Sequence, residues 1–161
     1  MDAIQLLKQQ HDEVEKLFAE YEDADDGRSK RSIFMRIADN LAAHATIEEK
    51  IFYPAVYVGD LKDLLKEAVE EHLAAKRIIA DLLDMGVNDE NYDAKVKVLK
   101  EQIEHHVKEE EGEMFDKVRK TVDDARLEEL GAEMEEMFAE LMAETPSAAV
   151  PKETAEAAPL E

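Results

Sequence analysis

Apolar residues along most of this chain recur at alternating spacings of three and four, the pattern of helices packed along a seam. In the first such segment, about residues 2–24, the seam runs Ile4, Leu7, Val14, Phe18 and Tyr21, and its non-apolar position is His11. The second, about 30–53, runs Phe34, Ile37, Leu41 and Ile51, with His44 and Glu48 between. The third, about 60–85, carries Leu61, Leu65, Ala68, Ala75, Ile79 and Leu82, interrupted by His72. The fourth, about 91–120, carries Tyr92, Val96, Leu99 and Ile103 and then lands on His106 and Glu110. Turn signals in DADDGRS, at Pro54 and Gly59, and in MGVNDEN separate the four. Short turns between long helices predict an all-α, antiparallel up-down-up-down four-helix bundle over residues 1–122.

The polar interruptions share one height in that bundle. At about 1.5 Å rise per residue, those on successive helices differ in level by about 1, 3 and 5 Å. One histidine on an apolar seam is usually a hydrogen-bonded core residue, and a single H-x-x-x-E is a weak signal. Four histidines and two glutamates at one level make a stronger demand, because a buried carboxylate without a cation costs several kcal/mol. The seams hold no Lys or Arg, although Lys76 lies beside the third.

Metal ions meet the requirement. Residues i and i+4 stack on one helix face, so H-x-x-x-E presents an imidazole and a carboxylate to one centre. His11, His44, Glu48, His72, His106 and Glu110 exceed what one tetrahedral zinc takes. Two bridging carboxylates with two histidines per ion make a dinuclear set, leaving positions for oxygen, nitric oxide, peroxide or water. The register sends His105, Glu109 and Glu111 to the solvated or flanking face, and Glu49 and Glu71 to the surroundings of the site or the surface. Tyr53 or Tyr57 is the aromatic candidate for lining the pocket.

Composition narrows the partners. A formal charge of −21, from 41 acidic and 20 basic residues, repels phosphate backbones and anionic lipid, so neither nucleic acid nor membrane is expected. No cysteine is present, which leaves nitrogen and oxygen to hold a metal. The N-terminus lacks an apolar signal core and no apolar run approaches the roughly 20 residues of a membrane span, so a cytoplasmic protein is expected. Residues 123–144 read as an additional amphipathic helix that Gly131 bends, and 145–161 as a disordered acidic tail without large apolar anchors.

The stretches QQHDEVEKLF, HATIEEKIFYPA, EEHLAAKRII and HHVKEEEGEMFDKV, in this order and spacing, resemble hemerythrin-like proteins with an HHE cation-binding domain, over about residues 4–120. The resemblance implies two iron ions bridged by an oxo or hydroxo group, with Glu48 and Glu110 bridging and His11, His44, His72 and His106 terminal. The oxygen carriers of that superfamily have a second histidine four residues after the third-helix one, where this chain has Lys76, and end in H-x-x-x-x-D rather than H-x-x-x-E. One nitrogen ligand fewer argues against simple oxygen storage. The expected function is a non-haem diiron protein that binds or senses oxygen or nitric oxide. The alternatives are a diiron enzyme acting on peroxide or ferrous iron, and a metal-sequestering or structural bundle. No separate catalytic residue is expected beyond the ligands.

Overall fold

The computed structural model describes residues 1–161, and every regular element is helical. Helix α1 spans Ala3–Asp23 and opens on a capping box in which Asp2 accepts from the Gln5 amide while the Gln5 side chain accepts from the Asp2 amide. Helix α2, Gly27–Ile47, begins at the stretch read as a break, because Asp26 accepts from the Ser29 amide and caps it. It runs without interruption into a π-turn, Glu48–Phe52, and a short helix α3, Tyr53–Ala55. Helix α4 spans Leu61–Asp84; α5, Tyr92–Glu109, passes through a second π-turn, Glu110–Met114, into α6, Phe115–Thr121.

Cross-helix pairs give the relative directions. Tyr21, His11 and Asp2 of α1 and its cap meet Asp93, Glu111 and Arg119, so residue numbers on α5 and α6 rise as those on α1 fall. The same opposition holds for α1 with α2 through Glu20–Arg36 and Gln10–His44. It holds for α2 with α4 through Arg31 on the Leu82 carbonyl and Glu49–His72, and for α4 with α5 through Asp81–Lys95 and Glu71–His106.

The apolar core is split in two. One cluster, with Ile4, Leu7, Phe52, Tyr53, Leu65 and Phe115, lies on one side of the polar layer; the other, with Val14, Phe34, Leu41, Ile79, Tyr92 and Leu99, lies on the other. Truncating a buried leucine such as Leu65 to Ala in packing of this kind costs about 2–5 kcal/mol. The seam residues are buried as the spacing predicts, with two exceptions: Ile51 and Ile103 are half-buried. At Ile51 the reason is the π-turn, whose extra residue per turn rotates the following chain and brings Phe52 and Tyr53 inward in its place.

Helix α7, Asp124–Met142, is capped by Asp123 and packs Leu127, Leu130 and Met134 into the first cluster. The helix continues through Gly131 without interruption. A Cβ there would fall 2.5 Å from the Met1 carbonyl oxygen and 2.9 Å from the Ala3 nitrogen, so this glycine lets α7 touch the backbone at the start of α1.

The region expected as a disordered tail is also different. Pro146–Glu153 form 3-10 turns packed between α2 and α4, with Ser147 and Val150 buried. The Ser147 amide donates to Asp39, and Arg77 donates to the carbonyls of Thr154 and Ala155. One valine and a few backbone groups suffice as anchors because a groove between helices already waits for them. No helix is long and apolar enough to cross a membrane.

Candidate metal centre

Both glutamates of the polar layer and two of its histidines come from two H-x-x-x-E-E runs, and each π-turn begins at the first glutamate of its run; His11 and His72 come from α1 and α4. A regular helix would turn the second glutamate about 100° away. The wider turn leaves both in use: Glu48 and Glu110 point to the centre with 0 % exposure, while Glu49 and Glu111 reach histidines on other helices.

All six predicted residues converge. Glu48 Oε1 lies 3.2 Å from His44 Nε2 and 3.1 Å from His72 Nε2. Glu110 Oε1 lies 3.3 Å from His11 Nε2 and 3.2 Å from His106 Nε2. The rings pair as His11 with His44, at 4.9 Å between centroids, and His72 with His106, at 4.7 Å. Each carboxylate therefore faces one histidine of each pair.

Every imidazole is held from behind. His11 Nδ1 donates to Glu111 (2.6 Å), His72 Nδ1 to Glu49 (2.7 Å), His106 Nδ1 to Glu71 (2.7 Å) and His44 Nδ1 to the Gln10 side-chain oxygen (2.6 Å). With Nδ1 carrying the proton, each Nε2 turns a lone pair inward, the arrangement that metal-ligating histidines adopt. Glu111, sent by the spacing to the solvated or flanking face, flanks the cluster behind His11. Gln10 was missed altogether; its adjacency to His11 in QQHD gives no sign of a role toward His44, which belongs to another helix. Lys76 does reach inward, to Glu49 at 3.0 Å. His105 is exposed and pairs with Glu71 and Glu109 outside the cluster, as the register predicts.

The halves differ in one respect. Tyr53 follows the first π-turn and stacks on His72, and Phe115 follows the second and stacks on His11. The Tyr53 hydroxyl donates to Glu110 Oε2 at 2.7 Å and lies 3.3 and 3.4 Å from the His72 and His106 Nε2 atoms. Phe115 has no hydroxyl for Glu48. Tyr57 is half-buried and lies against the first apolar cluster.

The buried atoms left without hydrogen-bond partners outline the centre: His11 Nε2, His44 Nε2, both Glu48 oxygens and Glu110 Oε1, together with Gln10 Nε2. His72 and His106 bring their Nε2 atoms within 3.1 Å of each other. Ligand atoms about 2.1 Å from one ion at right angles sit about 3 Å apart. A nitrogen and oxygen donor set with this spacing fits divalent or trivalent transition metals. Electrostatics agree. Burial disfavours the charged form of His106, but Glu110, Glu48 and Glu71 outweigh it and hold its pKa well above the ordinary value. Burial opposes the carboxylate of Glu48, yet His44 and its other neighbours keep its pKa well below the usual range. The pocket requires positive charge, as protons or as metal.

Beside the four histidines lies a cavity of about 40 Å³, walled by Leu41, Ala75, Ile79 and Val150 and reached by Gln10 and Lys76. Val150, from the C-terminal turns, closes one side of it and is 1 % exposed.

The sequence model of the hemerythrin HHE cation-binding domain matches residues 2–118. The chain belongs to the hemerythrin HHE family. Its HHE domain thus takes in α1 to α5, both π-turns and the first half of α6. In fold, this HHE protein is similar to the crystal structure of a hemerythrin HHE cation-binding domain-containing protein from Mycobacterium kansasii, with a TM-score of 0.81 and 24 % identity over 95 % of this chain and 99 % of that one. It is also 26 % identical over 137 residues to a DNA nickase of Nostoc sp., a match spanning 83 % of this chain and 38 % of the nickase.

Proposed function

We propose that this HHE protein holds two iron ions in its polar layer and binds or senses a small ligand, such as oxygen or nitric oxide, at an open iron position. His11 and His44 would hold one ion, His72 and His106 the other, with Glu48 and Glu110 shared between them. The observation that carries the reading is the set of inward-facing, partnerless nitrogen and oxygen atoms between two apolar clusters. When bound, the iron pair supplies redox chemistry and an open coordination position. The chain's own part is to keep each imidazole oriented through Glu111, Gln10, Glu49 and Glu71, and to exclude water with the two apolar clusters. The paired helix directions support an up-down-up-down four-helix path carrying these ligands, and the charge balance supports a protein without nucleic-acid or membrane partners.

Metal analysis after loading with ferrous salt under argon, followed by optical spectra on exposure to oxygen and to nitric oxide, tests this. Two irons per chain and ligand-dependent bands in the visible region are expected; a chain that takes up no iron ends the proposal.

One observation favours an enzyme acting on peroxide. Burial, Glu110 and Glu48 drive the Tyr53 pKa well above that of a free phenol, so its hydroxyl stays protonated beside two histidines and a glutamate. It is a proton donor in contact with the centre, from one of the two tyrosines that the sequence offers for lining the pocket. Peroxide turnover that collapses in Tyr53→Phe, with iron content retained, would favour this second reading.

A further inference from the structure

Three of the four histidines rest on carboxylates and one does not. For His44 the acceptor is the Gln10 amide oxygen, and this choice fixes the side chain's orientation: since His44 Nδ1 donates, Gln10 Oε1 must face it, and the amide nitrogen must face away. Gln10 is 9 % exposed, and its Nε2 has no hydrogen-bond partner. A carboxylate would have held His44 equally well without leaving two N–H groups unpaired. Buried donors without acceptors are rare in proteins, and each calls for a reason. Here Gln10 lines the cavity that borders all four histidines, where the other walls are nine apolar residues and the charged side chains of Lys76 and Glu153, which pair with each other.

We propose that Gln10 is a ligand-selecting residue, whose carboxamide donates a hydrogen bond to the small molecule held in this cavity. This inference rests on the diiron reading and refines it. The class of ligand follows from size and polarity. A water-sized occupant needs about 10–15 Å³ of such space. The cavity of about 40 Å³ therefore suits a molecule of two or three heavy atoms. An unpaired donor on a residue that borders a chiefly apolar cavity favours a ligand whose far end accepts a hydrogen bond, and above all one that carries negative charge, over an apolar ligand of equal size. Val150 of the C-terminal turns contributes one wall of the space, and α1 contributes Gln10.

The test uses azide, a three-atom anion that accepts hydrogen bonds at its free end. Full-length wild type, Gln10→Leu and Gln10→Glu are loaded at saturating iron, assayed for two irons per chain, and titrated with azide by absorbance. Gln10→Leu is expected to weaken azide binding by about tenfold, the worth of one hydrogen bond to a charged group. Gln10→Glu separates the two roles. It still accepts from His44 Nδ1 but offers the cavity an oxygen in place of N–H, so it is expected to lose at least as much affinity as Gln10→Leu. If Gln10 only positions His44, Gln10→Glu will instead bind azide as wild type does, which overturns the proposal. A second readout uses the diamagnetic zinc-loaded protein, in which azide should move the Gln10 side-chain amide protons downfield in the nitrogen-proton spectrum. Uptake of neither iron nor zinc by wild type would overturn this inference together with the diiron reading. Normal uptake with azide affinity in Gln10→Leu within twofold of wild type would overturn this inference alone.

Discussion

Removing one side chain from the polar layer leaves the others buried without a counter-charge. Glu48→Ala and His106→Ala are therefore expected to abolish binding of the metal pair, read as iron per chain and as loss of its optical bands, whereas His105→Ala should leave both within a small fraction of wild type. Equal loss for His105 and His106 would mean that the inward register is misassigned. The distinction was legible because only His106 continues the spacing of Tyr92, Val96 and Leu99. What spacing could not convey was the rank of residues behind the ligands. Spacing leaves Glu49 and Glu71 between the surroundings of the site and the surface, and Glu111 on the solvated or flanking face; each gains its role from a histidine on a different helix. Gln10 belongs to the same group, one residue from a ligand but serving another.

At the level of elements, the π-turns are where periodicity and structure part. A period of 3.6 assumes that every residue advances the helix equally, so it carries Ile51 inward and misses Phe52 and Tyr53. Helix α7 gives a sharper check on element packing. Gly131→Ala would press a methyl group against the backbone of Met1 to Ala3, and is expected to cost about 1–3 kcal/mol in urea unfolding. At Gly112 nothing lies within 4 Å of an added Cβ, so Gly112→Ala should be neutral or slightly stabilising. A Gly131→Ala protein as stable as wild type would show that α7 does not seat against the start of α1. The C-terminal turns were illegible for a related reason: their anchors are a groove and the groups of Asp39 and Arg77, which lie on helices far away in sequence.

For the whole molecule, the charge of the centre sets how stability responds to pH. In the metal-free chain the pKa values of His11, His72 and His106 are raised above 6.5, because neighbouring glutamates outweigh burial. Their stabilisation is fully present below the ordinary histidine value and is lost as pH rises through the raised ones. Metal ligation has the opposite sign, since each Nε2 must give up a proton before it can bind. Urea midpoints between about pH 6 and about pH 9 should fall for metal-free protein and hold or rise for iron-loaded protein. Parallel slopes would contradict the assignment. The net charge makes a further prediction at this scale. With −21 spread over 161 residues, the chain is expected not to nick supercoiled plasmid with magnesium or iron present, whatever the remaining part of the Nostoc nickase does. Finally, a sequence that nearly repeats itself has produced a centre whose two ends are labelled. The Tyr53 hydroxyl stands beside His72 and His106, whereas Phe115, which has none, stacks on His11. A half-filled molecule would thus have a preferred seat for its single ion, and filling would proceed in a fixed order that Tyr53→Phe would blur.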